Sequence, residues 1–171
     1  MFDNLRQDTR RLRSFKRKSF PWYVIESLLF ENGYLAVVLF RLAHWFKRRR
    51  IPALGPAFAR LSIFITGVDI DPGAQIGPGL LISHGVGLVI GEGAEIGPGA
   101  VLLHQVTIGA PSGERRDEMP VIGANVFIGA GSRLIGGITV GDNVFIGVNA
   151  VVTRDIPDGS NVTSTSEIRV T

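Results

Sequence analysis

The chain has 171 residues, which favours one core with an appendage, and it contains no cysteine. The lack of cysteine excludes disulfides, thiolate metal sites and a cysteine nucleophile, and it fits a reducing cytoplasm. Residues 1–68 carry thirteen Lys and Arg against four Asp and Glu, whereas residues 69–171 carry five against eleven. A basic half is typical of contact with nucleic acid, an anionic membrane or an acidic partner. No nucleic-acid motif accompanies it, so no nucleic-acid partner is expected.

Residues 1–66 are predicted to form a helical N-terminal region. We expect a basic helix over residues 3–18, a second helix over about residues 21–50 and a third over about residues 55–65. The simplest interpretation is a cap that shields the open end of the fold that follows, since the terminal coils of repeat proteins need such caps.

The alternative for these helices is contact with a membrane surface. Four aromatic residues lie near basic residues, a combination typical of interfacial helices: Trp22, Tyr23, Trp45 and Phe46. No apolar run is long enough to span a membrane, and no secretory signal is visible. We therefore expect a cytoplasmic protein, with peripheral contact to the inner membrane face as the open alternative.

From residue 70 onward, aliphatic residues recur every six positions. The series is Ile70, Ile76, Ile82, Ile90, Ile96, Leu102, Ile108, Ile122, Ile128, Leu134, Val140, Ile146 and Val152. Small side chains follow four positions later, at Ala74, Ala94, Ala100, Val126, Ser132, Val144 and Ala150. This period matches neither a helix nor a single strand. It is typical of a parallel β-helix, in which each hexad forms one face and three faces form one coil.

The predicted fold is therefore mainly β, with the β-helix over residues 67–157 and a tail over residues 158–171. A glycine follows most of the aliphatic residues, at Gly77, Gly91, Gly97, Gly109, Gly123, Gly129, Gly141 and Gly147. We interpret these glycines as corner residues that adopt backbone angles unfavourable to other residues.

Two histidines lie in the predicted coils. His84 comes two residues after Ile82, and His104 comes two residues after Leu102. Three hexad faces separate those aliphatic positions, so the two histidines are predicted to stack at equivalent places on adjacent coils. The third histidine, His44, is in the helical region and is interpreted as structural.

Asp69 comes fifteen residues before His84, three short of a full coil, which places it beside that histidine rather than beneath it. A carboxylate that orients an imidazole produces a general base that works near neutral pH. We predict His84 as the general base and Asp69 as its partner; in the alternative, Asp69 only caps the first coil. His104 is left open between substrate contact and corner packing.

The hexads are interrupted between Ile108 and Ile122, where glycine, proline and charged residues replace the aliphatic series. We predict a loop over residues 109–121, and loops that leave a repeat often lie on its binding face. Because the loop follows His104 closely, it is expected either to overhang the same site or to reach the site of a neighbouring subunit.

Five stretches between Gly33 and Pro157 are more specific than a generic hexad. They are YLAVVLFRLAHW, GVDIDPGAQIGPGLLISHGVGLVIGEGAEIG, VTIG, PVIGANVFIGAGSRLIGGITVG and IGVNAVVT. Together they resemble the serine acetyltransferase branch of the left-handed hexapeptide-repeat acyltransferases. The resemblance implies a left-handed β-helix, with His84 deprotonating the acceptor hydroxyl and Asp69 paired with it.

The resemblance also implies that acetyl-CoA is the co-substrate and lies in a groove between subunits of a homotrimer, with pairing of trimers left open. The residues implied to line this groove are Gly109, Ala110, Ala130 and Val148. Arg133 and Arg154 are candidates for its phosphates, because phosphate favours arginine. No metal is implied.

Two departures from the family pattern concern the acceptor. Ser83 precedes His84 where the family has aspartate, and Glu118-Met119 precede Pro120 where the family has Arg-His. Those family residues hold the charges of serine, and an unmatched buried charge is costly. We therefore expect a sugar hydroxyl as acceptor, as in the short relatives of exopolysaccharide synthesis. The predicted substrate-binding residues are Ser83, His104, Gln105, Glu118 and Met119.

Three other functions are considered. A serine O-acetyltransferase of cysteine biosynthesis is the alternative within the same class. A non-catalytic CoA-binding scaffold is the alternative from another class. A metal-dependent carbonic anhydrase on the same β-helix needs three histidine ligands, whereas only two histidines lie in the coils.

Overall fold

The computed structural model describes residues 2–16 and 22–163. Its helices are α1 (Phe2–Lys16), α2 (Trp22–Phe30), α3 (Asn32–Arg48) and α4 (Leu54–Thr66). Residues 17–18 of the predicted first helix, the side chains of Trp22 and Tyr23, and residues 164–171 of the predicted tail lie outside the described part. None of the described helices has the length and apolarity that a membrane span requires.

The helix expected over residues 21–50 is divided into α2 and α3. The division falls at Glu31, whose backbone is extended (φ −111°, ψ 92°). The chain turns there because α3 lies directly on the first coil. Gly33, near the start of α3, rests on the carbonyl group of Ile82 with no room for a Cβ.

The rest of the described chain forms three parallel sheets. Sheet A contains β1 (Asp69–Ile70), β4 (Val89–Ile90), β7 (Thr107–Gly109), β10 (Arg133–Ile135) and β13 (Val151–Val152). Sheet B contains β2 (Gln75–Ile76), β5 (Glu95–Ile96), β8 (Val121–Ile122) and β11 (Thr139–Val140). Sheet C contains β3 (Leu81–Ile82), β6 (Val101–Leu102), β9 (Phe127–Ile128), β12 (Phe145–Ile146) and β14 (Asn161–Val162). From β1 to β13, successive strands occupy successive sheets, which confirms the parallel β-helix and is consistent with the predicted left-handed form.

The core of the β-helix is built from the two predicted series. Every residue of the aliphatic series from Ile70 to Val152 is buried, and so is every small residue four positions later. Ser132 is the polar member of the small series, and its hydroxyl donates to the carbonyl of Gly147 at 2.7 Å. This bond removes the cost of a buried unpaired hydroxyl. The inward-facing pattern is therefore confirmed.

The conformational role assigned to the glycines that follow the aliphatic residues is wrong. Their φ angles are not positive; positive φ occurs instead two residues later, at positions such as Gly99 and Asn125. Several of these glycines are instead required by close stacking of the coils. A Cβ on Gly97 would lie 2.6 Å from the carbonyl carbon of Gly123, and one on Gly129 would lie 2.7 Å from that of Gly147.

The helical region covers the open base of the β-helix, as the cap interpretation predicts. Ala36, Val37 and Phe40 of α3 are buried in the same apolar cluster as Val68 and Ile70 of the first coil. Full burial of such side chains contributes about 1.5–3 kcal/mol each. The cap therefore completes the core, with α3 against β3 of sheet C and α4 against β1 of sheet A.

Candidate active site

His84 lies on an outward bulge at the corner between β3 and β4. Its φ angle is +54°, which is uncommon for a residue other than glycine. The backbone turns inward at Gly85, where a Cβ would lie 2.6 Å from Cγ2 of Ile82 and 2.8 Å from Cγ2 of Val68. Because Gly85 is packed against the core, the preceding imidazole is exposed to solvent.

The predicted stacking of the two histidines is correct for the strands and wrong for the corner. Ile82 pairs with Leu102 in sheet C. At the corner, however, the amide of Gln105 donates to the carbonyl of Val86 at 3.1 Å, so His104 is opposite Val86. The corner that carries His84 contains two more residues than the corner that carries His104. Because of these extra residues, His84 does not lie directly beneath His104.

Asp69 lies beside this corner on the adjoining sheet. The chain that leaves the corner enters β4, whose Val89 pairs with Asp69 of β1. Ile70 faces inward, so the Asp69 carboxylate faces outward and is exposed. Within the described residues, no hydrogen bond or ion pair joins Asp69 to His84, and the pairing stays a prediction. Catalytic hydrogen bonds are often long before substrate binds.

The loop leaves β7 at Gly109 and returns at β8, on the corner between sheets A and B. His84 is on the corner between sheets C and A, across the face of sheet A. The loop therefore does not overhang the His84 site of its own chain, because it leaves the coil at the opposite edge of sheet A. The second expectation, that the loop reaches a neighbouring subunit's site, remains a prediction.

Two predicted substrate residues lie in this loop. Glu118 is exposed and accepts a bond from Arg115 at 3.3 Å. Met119 packs on the core, and its Cε lies against Gly91. Both are thus separated from Ser83, His104 and Gln105 in the single chain, and the five residues can meet only between two copies.

The residues predicted to bind acetyl-CoA are likewise split between two separate places in the single chain. Hydrogen bonds place Ala130 above His104 and Val148 above Ala130, in one column at the corner between sheets C and A. Arg133 follows on the exposed face of sheet A, where its Nη1 donates to the carbonyl of Gly131 at 3.0 Å.

The remaining members of that set are on the far edge of sheet A. Gly109 ends β7, and Ala110 lines a cavity of about 390 Å³ beneath the loop. Arg154 follows β13 and is exposed. The residues predicted to bind acetyl-CoA therefore lie in two groups, one at each edge of sheet A, and the groove between subunits stays a prediction.

A second cavity, of about 520 Å³, lies between α4 and the first coil and reaches Asp69. The hexad pattern does not predict this cavity, because the basic residues that line it come from the helical region. The sequence feature that marks it is the basic run Lys47-Arg48-Arg49-Arg50, at the end of the helix predicted over about residues 21–50. His44 has a structural role: its Nδ1 is 2.9 Å from the carbonyl oxygen of Pro72. Among the described residues, no group of three or more His, Asp or Glu side chains could hold a metal ion.

The family model described as bacterial transferase hexapeptide (six repeats) matches residues 119–154. The serine acetyltransferase of Helicobacter pylori strain ATCC 700392 / 26695 is 43% identical over 146 residues, which cover 85% of this chain and 85% of that protein. The chain belongs to the serine acetyltransferase family. The serine acetyltransferase of Synechococcus elongatus is 38% identical over 162 residues, 95% of this chain and 66% of that protein.

Solved structures of this family have the same fold. The Neisseria gonorrhoeae serine acetyltransferase in complex with serine superposes with a TM-score of 0.85 at 30% identity, over 96% of this chain and 66% of that one. The soybean apoenzyme gives a TM-score of 0.86 at 34% identity, over 95% and 66%. The chain thus spans about two thirds of the length of these family members.

Proposed function

We propose that this protein is an acetyl-CoA-dependent O-acetyltransferase with His84 as the general base. The observation that carries the proposal is the bulge at the corner between β3 and β4, which presents an exposed imidazole beside Asp69 in a chain of the serine acetyltransferase family.

Acetyl-CoA would supply the acetyl group as a thioester. In this mechanism His84 takes the proton of the acceptor hydroxyl while that oxygen bonds to the acetyl carbon. The carbon–sulfur bond breaks, and the proton passes to the departing thiolate. The exposed carboxylate of Asp69 would orient the imidazole and stabilise its charged form.

A homotrimer would bring the two edges of the groove together. Ala130, Val148 and Arg133 of one copy would face Gly109, Ala110 and Arg154 of the next. The two arginines are exposed cations, and a Cβ on Gly109 would meet no atom within 4 Å, so this edge is open. These features fit an extended ligand with phosphates. The same arrangement would bring Glu118 and Met119 to a neighbouring His84.

L-serine is the first candidate acceptor, because the relatives of 38% and 43% identity are serine acetyltransferases. This reverses the order expected from the sequence. None of the relatives described above is named for a saccharide acceptor, and the exopolysaccharide subtype has no support from them.

A saccharide hydroxyl is the second candidate. It is favoured by Ser83, which is uncharged and precedes His84. It is also favoured by Glu118, an anion that forms an ion pair with Arg115 of its own loop and cannot neutralise the carboxylate of serine. A neutral sugar hydroxyl requires neither charge.

The test is CoA release from acetyl-CoA with L-serine and with a panel of sugars and lipid-linked sugars. Saturable turnover of L-serine with KM between about 1 μM and 1 mM would support the first candidate. Turnover of a saccharide alone would support the second. Binding of CoA without transfer to any acceptor would contradict the proposal and favour a scaffold.

A further inference from the structure

The cavity of about 520 Å³ beside Asp69 has the dimensions of a small-molecule site. One wall is apolar and is formed by Ile51, Pro52, Ala53, Pro56, Ala59 and Ile63. The polar residues of its lining are Lys47, Arg50, Arg60, Asp69 and Asp71, and Pro72 closes it. Three cations and two carboxylates thus surround a partly apolar space on the first coil.

Lys47 is not available to a ligand. Its Nζ lies 2.6 Å from Oε1 of Glu92 and 3.3 Å from Oδ1 of Asp71. Burial opposes its charged form, but the hydrogen bonds and charges of the two carboxylates outweigh burial and raise the pKa of Lys47. Lys47 therefore stays charged and neutralises Asp71.

Arg50 and Arg60 are the available cations. Both side chains are exposed, and neither forms an ion pair or a side-chain hydrogen bond with any described residue. Unpaired guanidinium groups at the rim of a cavity are suited to carboxylate or phosphate, because each presents several N–H donors in a fixed plane.

The chain segment that bears Arg50 is held in an unusual conformation. Arg50 has φ +55° and Ala53 has φ +66°, both in the left-handed region that residues with a Cβ rarely adopt. Such strain persists where the surrounding structure enforces it, and it is frequent at ligand sites. Here it turns the chain between α3 and α4 so that the segment forms the outer wall of the cavity.

We propose that this cavity, the Arg50–Arg60 pocket, binds the anionic group of the acceptor, either a carboxylate or a phosphate. The proposal rests on the proposed function, because Asp69 belongs both to the pocket wall and to the predicted pair with His84. An acceptor anchored by the two arginines would lie along Asp69, which can accept a hydrogen bond from its ammonium group or from a second hydroxyl group. The acceptor hydroxyl would then be directed toward the corner that carries His84.

The test is direct binding in the absence of acetyl-CoA, measured by calorimetry on the full chain. L-serine is compared with L-serinamide, which lacks the carboxylate, and glucose 6-phosphate is compared with glucose. The wild type should bind at least one anionic ligand about 10-fold or more tightly than its neutral counterpart. The pair of ligands that shows this preference identifies the bound anion as carboxylate or phosphate.

The variants are the double substitution Arg50→Gln/Arg60→Gln and the control Arg49→Gln. Arg49 lies in the same segment, but its guanidinium packs over the ring of Trp45 at 5.3 Å, outside the pocket. The double variant should lose the preference for the anionic ligand, and the control should keep it. An equal preference in all three proteins, or no preference in the wild type, overturns the proposal.

Steady-state kinetics separate this proposal from the proposed function. If the pocket binds the acceptor, the double variant should raise KM for the anionic acceptor about 10-fold or more and leave KM for acetyl-CoA unchanged. Absence of CoA release with every acceptor would contradict the proposed function. The binding experiment would still show whether the Arg50–Arg60 pocket binds an anion.

Discussion

Arg41 of α3 and Asp8 of α1 form a buried ion pair that fastens two helices to the first coil. Nε of Arg41 donates to Oδ2 of Asp8 at 2.9 Å, and Nη2 donates to Oδ1 at 3.1 Å. Arg41 also donates to the carbonyls of Ile76 and Gly77, and Oδ1 of Asp8 accepts from the amide of Leu80. The backbone of the coil thus satisfies groups on both partners, which is what a buried pair requires to be tolerated.

Asp8→Ala should destabilise the protein by about 3–5 kcal/mol, because it leaves the buried guanidinium of Arg41 without its charge partner. Urea denaturation measures the loss. The matched control is Glu92→Gln, which removes the exposed ion pair with Lys47 and should cost less than about 1 kcal/mol. Similar losses in both variants would show that the buried pair does not fasten the cap.

His84→Ala should lower acetyl transfer by roughly 10²–10⁴-fold, because the general base is lost, while CoA affinity changes little. Asp69→Asn should lower it less, because the imidazole remains and loses only its orienting charge. Rates of CoA release and circular dichroism of each variant are the measurements. A folded His84→Ala protein with most of its activity would show that His84 is only a corner residue.

Gly97→Ala should destabilise the β-helix by about 1–3 kcal/mol, because its Cβ would overlap the backbone of the next coil at Gly123. The control is Gly113→Ala in the loop, where a Cβ meets no atom within 4 Å and the stability should stay near that of the wild type. Thermal denaturation of both variants decides the matter. A Gly97→Ala protein as stable as the control would mean that the coils have room for a methyl group.

The stability of the protein should fall as the pH is lowered through about 6.5, and His44 is one source of this loss. Burial, together with the charges of Arg48 and Arg41, lowers the pKa of His44 below its ordinary value. Below about pH 6.5 the unfolded chain takes up a proton that the folded chain resists, so acid favours unfolding. Above that pH both states are neutral and the effect vanishes. Urea titrations between about pH 7.5 and 5 should give a smaller loss for His44→Gln than for the wild type, and equal losses would contradict this origin.

The protein should be a trimer in solution, as the resemblance to the hexapeptide-repeat acyltransferases implies, and adjacent copies would then bring opposite edges of sheet A together. Light scattering should give three times the 18.5 kDa of one chain, or six times if trimers pair. A stable monomer that is fully active would exclude a site shared between copies.

The sequence by itself determined the β-helix, because the inward positions of a coil recur at a fixed spacing. Each residue of the aliphatic series from Ile70 to Val152 is buried, and a six-residue period matches neither a helix nor a single strand but is typical of a parallel β-helix. It also singled out His84 and Asp69, since their spacing relative to a coil places Asp69 beside the corner that carries His84. The same spacing failed for His104, because the two extra residues at the His84 corner could not be assigned to a corner from the hexads alone.

Only the tertiary structure decided what contacts what between segments distant in sequence. The pairing of Asp8 with Arg41, and the pocket that Arg50 and Arg60 form beside Asp69, join helices to the first coil across dozens of residues. No period in the sequence encodes such contacts, because they depend on how α3 and α4 lie against the coil. The glycine pattern is visible in the sequence, but its cause is not. At positions such as Gly97 and Gly129 the cause is the short distance between stacked coils, which only the folded chain defines.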